Sequence, residues 1–264
     1  MAKKPKPTFQ EYYSCALGSR WETLYPALLS APLKENRYSA FSSGLLKPYF
    51  LDQASCLAAQ ALDVQEGETV LDMCAAPGGK SLILATKIGE TGALTANDRS
   101  SERRNRLKSV LQEYLPPEVF HRISVTGHDA AKWGLYEKNK YDRILLDAPC
   151  SSDVHILTSP VHLKKWSPAR TRHLAVQEYA MLAAAFAAVK PGGVIVYSTC
   201  TVLPGENDGV VRRLVEKKKG AVSVMRETYL LGEPADFGWR IWPDKEEGLG
   251  PIYFAKLRKS PEST

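Results

Sequence analysis

The chain has 264 residues, 44% of them hydrophobic, a net charge of +6 and a pI near 9.0. That length supports a large buried core, and no run approaches the roughly 18 consecutive apolar residues of a membrane span, so no membrane partner is expected. Five cysteines without a C-x-x-C pair argue against a disulfide framework or a closed zinc site and point to reduced thiols in a cytoplasmic setting, with no metal site; the basic balance permits a polyanionic partner without establishing one.

The start, Met1-Ala-Lys-Lys-Pro-Lys-Pro7, is basic but runs into polar Thr8 to Tyr13, so no secretory signal is expected, and its Lys/Pro bias does not support mitochondrial import. Residues 1–62 carry Tyr12, Tyr13 and Trp21 and then a Pro/Ser-punctuated stretch over 30–48, which reads as a small N-terminal extension packed on a catalytic domain at 63–264. From Thr69, apolar runs at 69–72, 93–98, 122–126, 142–147 and 194–198 read as strands. Amphipathic stretches at 80–88, 102–115, 171–189 and 206–219 read as helices between them. Pro191-Gly192-Gly193 is expected to separate the alanine-rich helix, with its stripe Ala180, Leu182, Ala183, Phe186 and Ala187, from the last strand. This βαβα alternation predicts an α/β fold with a mostly parallel sheet and helices on both faces. The run Lys217 to Lys219 reads as a solvated helix end, with an RNA contact as the alternative.

The first strand opens into Cys74-Ala75-Ala76-Pro77-Gly78-Gly79-Lys80-Ser81. Its tail resembles a phosphate-binding P-loop, but that pattern needs glycine where Cys74 stands, and Pro77 removes a backbone donor from any phosphate cradle. A strand, a tight glycine turn and a helix, with Asp98 about 20 residues on to accept from ribose hydroxyls, is the geometry for an adenosine-bearing cofactor. No G-x-G-x-x-G pyrophosphate signature is present in the loop. Adenosine without a diphosphate means S-adenosylmethionine, hence a Rossmann-like class I methyltransferase. Residues 74–80, Asp98, Asp129 with Ala130, and Asp147 are the expected cofactor neighbours. Asp129 has turn capping as its alternative, Arg103 either pairs with Asp98 or lies on the surface, and Asp72 orients the turn from beneath.

Pro149-Cys150 and Thr199-Cys200 end two different predicted strands, and in an open α/β sheet the ligand crevice lies beyond such ends. With these motifs the chain resembles the Sun (RsmB-like) RNA cytosine-5 methyltransferases from Phe9 to about Lys259, most specifically over 71–81, 141–151 and 196–201. Within that family it is most similar to the mitochondrial ribosomal-RNA type, through Tyr12 to Trp21 and Gly250 to Lys256. The resemblance implies that Cys200 adds to carbon 6 of cytosine, that Asp147 contacts N3, as a protonated acid in one version, that Lys80 lies near the base or the aspartate, and that Cys150 assists release. An ordinary thiol is only a few per cent ionised at pH 7, and Lys80 is the nearest cation by motif position to lower that pKa. Cys15 and Cys56 match no motif and read as packing residues; Cys74 is expected to offer backbone contacts.

A DNA cytosine methyltransferase would place its nucleophile in the Pro-Cys motif and carry a Glu-Asn-Val segment; here Glu35-Asn36 is followed by Arg37 and Glu206-Asn207 by Asp208, which favours RNA and Cys200. Many relatives carry an added RNA-binding domain. Here RNA contacts are expected from the extension, from Lys164, Lys165, Arg170, Arg172 and His173 around Trp166, or from an accessory RNA-binding protein or ribosomal subunit, with the enzyme itself a monomer. The segment around Trp166 is equally consistent with a solvated loop over a buried tryptophan. Relatives often end in a His and an Asp-Gly-Phe-Phe segment where this chain has Gly248-Leu-Gly-Pro-Ile-Tyr-Phe254, a departure that argues against carrying over the substrate specificity of the general bacterial family; a small ribosomal-subunit RNA is the expected target. Two other classes stay open: a methyltransferase for a protein or small molecule, and an RNA-binding assembly factor without essential catalysis.

Overall fold

Helices α1 (Phe9–Leu17) and α2 (Arg20–Ser30) lead into an antiparallel hairpin, β1 (Tyr38–Phe41) and β2 (Tyr49–Asp52), and then α3 (Gln53–Gln60). The chain continues through β3 (Thr69–Asp72), α4 (Gly79–Ala85), β4 (Ala93–Asn97), α5 (Ser101–Tyr114), α6 (Pro117–Phe120), β5 (Ile123–Thr126), α7 (Trp133–Tyr136) and β6 (Tyr141–Asp147). After it come α8 (Asp153–Thr158), α9 (Pro160–Lys165), α10 (Pro168–Ala188), β7 (Val189–Thr199), α11 (Asp208–Lys217), β8 (Val222–Met225), β9 (Glu233–Pro234), β10 (Trp239–Ile241) and β11 (Ile252–Lys259). This computed structural model describes residues 6–262; the lysine-rich start at 1–5, on which the expectation of no secretory signal partly rests, lies outside the described residues.

The large sheet has the order β5-β4-β3-β6-β7-β11-β10-β9, with β8 also on β11. Strands β3 to β7 pair in parallel, and β11 runs antiparallel to β7. The chain winds outward from β3 to β5 and then returns to place β6 on the other side of β3, so the crevice of this sheet opens beyond the ends of β3 and β6. Neighbouring residues on these strands enter opposite cores, as the two-residue strand period requires. Val70, Leu145 and Val196 pack with α3, α4 and α5 through Ala58, Leu82 and Leu107. Leu71, Leu146 and Tyr197 pack with α10 and α11 through Leu182, Ala185 and Val211.

A third cluster joins the extension to the domain: Phe9, Tyr13, Trp21, Leu24 and Leu28 of α1 and α2 pack on Ile156, Val202, Leu203 and Trp242. Tyr13 donates its hydroxyl proton to Asp153, whose other oxygen accepts from Val202 N at 2.6 Å. Trp166 belongs here, with ring centroids 5.1 Å from Phe9 and 5.4 Å from Tyr12. It is the packed tryptophan of the two readings and not a free stacking surface.

The structure corrects four expectations. Helix α10 begins at Pro168 because Ser167 caps it, accepting from Arg170 N at 3.3 Å, with proline at the first helical position. Its buried side presents Met181, Leu182, Ala185, Phe186 and Ala188, while Ala180 and Ala187 are half-buried. Pro191-Gly192-Gly193 does not precede the strand: the register jumps from Tyr141↔Val189 to Arg143↔Val194, which makes the glycine turn a bulge inside β7. Strands β8 to β11 were not expected, because Lys256 and Lys259 break the apolar run of β11. These lysines are 5% and 4% exposed; Lys256 pairs with Glu227 at 2.7 Å, and Lys259 donates to Phe186 O and Val189 O at 3.1 Å, satisfying the carboxyl end of α10. Lys217 to Lys219 are exposed at the end of α11.

Candidate active site

Backbone and amide bonds draw the ends of β3, β4 and β5 together. Buried Asn97 donates to Met73 O at 2.9 Å and His128 O at 3.1 Å, and its Oδ1 accepts from Thr126 and from His128 N; Ala75 N donates to Asn97 O at 2.7 Å. Asp72 supports the turn from below, accepting from Ser81 Oγ at 2.7 Å, and its burial pushes its pKa up to about 7. Gly78 has φ +121, and a Cβ there would stand 3.0 Å from Val110 of α5, so the turn needs glycine for its conformation and for helix approach.

The expected cofactor residues divide between two cavities. One of about 550 Å³ is lined by Cys74, Asp98, Arg103, Asp129 and Ala130. A second, of about 210 Å³, is lined by Cys74, Ala75, Ala76, Pro77, Gly79, Lys80 and Asp147. Gly78 lines neither cavity. Asp98, 4% exposed, accepts from Ser100 N at 3.0 Å and lies 3.2 Å from Arg103, whose guanidinium also donates to Ala76 O at 2.7 Å. Asp129 caps the turn, accepting from Ala131 N at 3.1 Å, and also lines the large cavity. A carboxylate at the end of β4, a second beyond β5 and a turn too tight for a phosphate cradle fit S-adenosylmethionine.

At the ends of β6 and β7 the two thiols meet, with Cys150 Sγ 3.3 Å from Cys200 Sγ. Cys200 N donates to Cys150 Sγ at 3.3 Å, and Ser152 Oγ stands 3.3 Å from Cys200 Sγ. Hydrogen bonds from the Cys150 thiol and from Ser152 outweigh burial and hold Cys200 below the usual thiol pKa, whereas the bond to Cys200 and then burial push Cys150 up. Lys80, named from the sequence for this task and by the resemblance as a neighbour of the aspartate, is bonded to Asp147 Oδ2 at 2.7 Å and to Ser55 at 3.3 Å. Burial works against its charge, but Asp147 overcomes this and raises its pKa, and a Cys200 thiolate also favours its charge. Ser198 donates to Asp147 Oδ1 at 2.8 Å, so both carboxyl oxygens are held in place. Burial pushes the Cys74 and Cys56 thiols up, Cys56 to about 11. Cys56 packs on the core; Cys15, expected to pack, is exposed.

Three contributors went unread in the sequence. Ser152 has φ 54, a left-handed conformation that serine rarely adopts, and this turn aims its hydroxyl at Cys200. Glu206 accepts from Ser151 N at 2.7 Å and Ser151 Oγ at 2.5 Å, which holds the Pro-Cys loop. Glu178 of α10 is wholly buried near Glu206. The Glu206-Asn207 pair was legible only as a mismatch to the DNA enzymes.

The sheet order and the crevice at its switch point define a Rossmann-like class I methyltransferase fold. The chain belongs to the family described as 16S rRNA methyltransferase RsmB/F, whose model matches residues 59–258. It is 38% identical over 230 residues to the Danio rerio protein named tRNA (cytosine(34)-C(5))-methyltransferase, mitochondrial, a match covering 82% of this chain and 62% of that one. Against the Mus musculus protein named 5-cytosine rRNA methyltransferase NSUN4, identity is 35% over 237 residues, covering 83% and 62%. The crystal structure of NSun6 from Pyrococcus horikoshii with SFG is similar at a TM-score of 0.69 and 28% identity, covering 84% of this chain and 55% of that one. The chain thus spans 62% of the length of each of these two curated relatives.

Replacing Asp98 by alanine is expected to weaken S-adenosylmethionine binding by about tenfold, the worth of charge-assisted hydrogen bonds to a ribose. Calorimetric titration against the unchanged protein reads this directly, and equal affinities would remove Asp98 from the cofactor site.

Proposed function

We propose that the protein methylates carbon 5 of a cytosine in RNA, using S-adenosylmethionine and a covalent bond from Cys200 to carbon 6. The observation that carries this reading is the thiol pair 3.3 Å apart beside the Lys80–Asp147 pair. Transfer to an amine or hydroxyl has no use for two such thiols, but carbon 5 of cytosine is a poor nucleophile until a thiolate has added next to it.

Cys200, its pKa lowered, is the group to form the C6–S bond, and the electron pair of the C5=C6 bond then spreads toward N3 and O2. Asp147 and the Lys80 ammonium meet that charge, with a proton able to pass from Lys80 Nζ through Asp147 Oδ2 to N3. S-adenosylmethionine, held by Asp98, Arg103, Asp129 and Ala130, supplies an electrophilic methyl group. Removal of the carbon 5 proton then restores the double bond and expels the Cys200 thiolate, and Cys150 is the neighbour placed to assist. The target base reaches the thiols only when extruded from its helix or already single-stranded.

The finer reading is a ribosomal RNA target, met by a monomer in a reducing, cytoplasmic compartment, with an accessory RNA-binding protein or the ribosomal subunit supplying further contacts. Its support is the resemblance through Tyr12 to Trp21 and Gly250 to Lys256, the five free cysteines, and exposed Lys164, Lys165, Arg170, Arg172 and His173 beyond α8, which suit phosphate contacts. The test is methyl transfer from labelled S-adenosylmethionine into separated ribosomal and transfer RNA pools, with bisulfite sequencing of the products. Label entering ribosomal RNA as 5-methylcytosine is the expected result; label entering only protein or small molecules overturns the activity, and label in transfer RNA alone overturns the target.

A further inference from the structure

Cys200 opens into its own cavity of about 330 Å³, lined also by Arg37, Tyr38, Ser152 and His155, within the roughly 300–1,000 Å³ range of ligand pockets. Tyr38 lines this cavity and equally the one holding Lys80 and Asp147. Tyr38 is therefore shared by the cavity of the nucleophile and that of the pair that meets N3. A cytosine whose carbon 6 approaches Cys200 while its N3 edge approaches Asp147 lies against the Tyr38 ring.

The hairpin that carries Tyr38 is built as a platform. In its register Tyr38 pairs with Asp52 and Ala40 with Phe50, so these four share one face, while Phe41, Tyr49 and Leu51 share the other. The second face is fastened to the domain: Tyr49 packs edge-on to Tyr114 at 4.9 Å, and Leu51 enters the core. The first leaves Tyr38 56% exposed, and no hydrogen bond or ring contact holds its side chain among the described residues.

Arg37, just before β1, adds an independent sign. Its Nε lies 2.7 Å from Asp52 Oδ2 without hydrogen-bond alignment, and its Nη1 is buried with no hydrogen-bond partner among the described residues. Asp52 is itself fixed, capping α3 through Ser55 N at 3.1 Å. A guanidinium that Asp52 satisfies only in part, on a residue lining the same cavity as the nucleophile, is suited to an acceptor on the ligand.

We infer that Tyr38 and Arg37 form the outer wall of the target-base pocket, Tyr38 stacking on the cytosine ring and the Arg37 guanidinium donating to its O2, an assignment that rests on the activity proposed above. O2 is where charge develops on thiolate addition, so Arg37 acts on the reaction and not only on binding.

The experiment measures methyl transfer from labelled S-adenosylmethionine into unfractionated cellular RNA, with S-adenosylhomocysteine binding as the check on the cofactor site. Tyr38→Ala is expected to lower kcat/KM about tenfold or more, the loss of one base–aromatic stack, and Tyr38→Phe to stay within about twofold because the ring remains. Arg37→Ala is expected to lower kcat about tenfold with the salt dependence of RNA binding unchanged. Should it fail to fold, Arg37→Met keeps the bulk of the stem and carries the same readout. Tyr38→Ala within twofold of the unchanged protein overturns the stack, and a salt slope reduced by about one in the Arg37 variant makes it a phosphate contact and overturns the O2 bond. An unchanged protein that methylates no RNA counts against the proposed activity itself.

Discussion

Replacing Cys150 by alanine is expected to turn the protein into an RNA trap, whereas replacing Cys200 by alanine abolishes methyl transfer and leaves no adduct. The asymmetry follows from the hydrogen bond between the thiols. Cys200, bonded to Cys150 and to Ser152, carries the lowered pKa, while the same bond raises that of Cys150 and holds it as a thiol. At the start of the reaction Cys200 alone is poised to attack. Once it is bonded to carbon 6 it bears no negative charge, and the interaction that raised the Cys150 pKa most is gone. Cys150, already receiving the backbone N–H of Cys200 at 3.3 Å, then becomes the better base, its own proton having passed to solvent, at the stage when the carbon 5 proton must leave.

Cys150→Ala should therefore add, methylate and stall. Incubation with cellular RNA and S-adenosylmethionine, followed by a denaturing gel, should show a stable protein–RNA species that disappears in the Cys150→Ala/Cys200→Ala double variant. Cys200→Ala should lose methyl transfer by roughly 10⁴-fold or more, as expected for a removed nucleophile. Sequencing the trapped RNA names the substrate in the same experiment. Equal losses in the two single variants, with no trapped species in either, would contradict the division of roles.

Most of what positions this chemistry is legible in the sequence, because it is local. The strand ends that carry Asp72, Asp98 and Asp147, and the Pro-Cys and Thr-Cys pairs, are set by apolar runs whose boundaries the structure reproduces to within a residue or two at the crevice. What was not legible depends on partners far apart in sequence. Lys80 and Asp147 are 67 residues apart and Ser151 and Glu206 are 55 apart; no spacing announces either bond, and only the family resemblance put Lys80 near the aspartate. The left-handed turn at Ser152 has no glycine or asparagine to betray it. Strand β11 stayed hidden because two of its eight residues are lysines whose charges the fold satisfies from Glu227 and from the end of α10.

The largest stability effect is expected at Glu178, and it depends on pH. This carboxyl is wholly buried on α10, neither oxygen has an aligned hydrogen-bond partner, and the residues around it, Glu206 before α11 and Tyr197 on β7, offer no positive charge. Burial first, and Glu206 second, push its pKa up to about 11. The folded protein thus keeps a proton there that the unfolded chain, with a carboxyl of ordinary pKa, releases above about 4.5. Its contribution to stability is fully present below that pH and is lost as pH rises toward 11, by at most about 1.4 kcal/mol per pH unit. Glu178→Gln keeps the shape, stays neutral at every pH and brings an amide donor near Glu206. It should match the unchanged protein in urea unfolding at pH 5 and exceed it by about 3 kcal/mol near pH 7, with a Tm higher by roughly 5–10 °C. Parallel stability profiles across that range would mean that Glu178 ionises in place and that the charge is met by a group other than Glu206. Glu206→Gln should behave differently, because its carboxylate holds Ser151 N and Oγ and with them the Cys150 loop; there the loss falls on the rate of methyl transfer, so the two acids, though neighbours, separate into one that limits stability at high pH and one that fixes the reactive thiols.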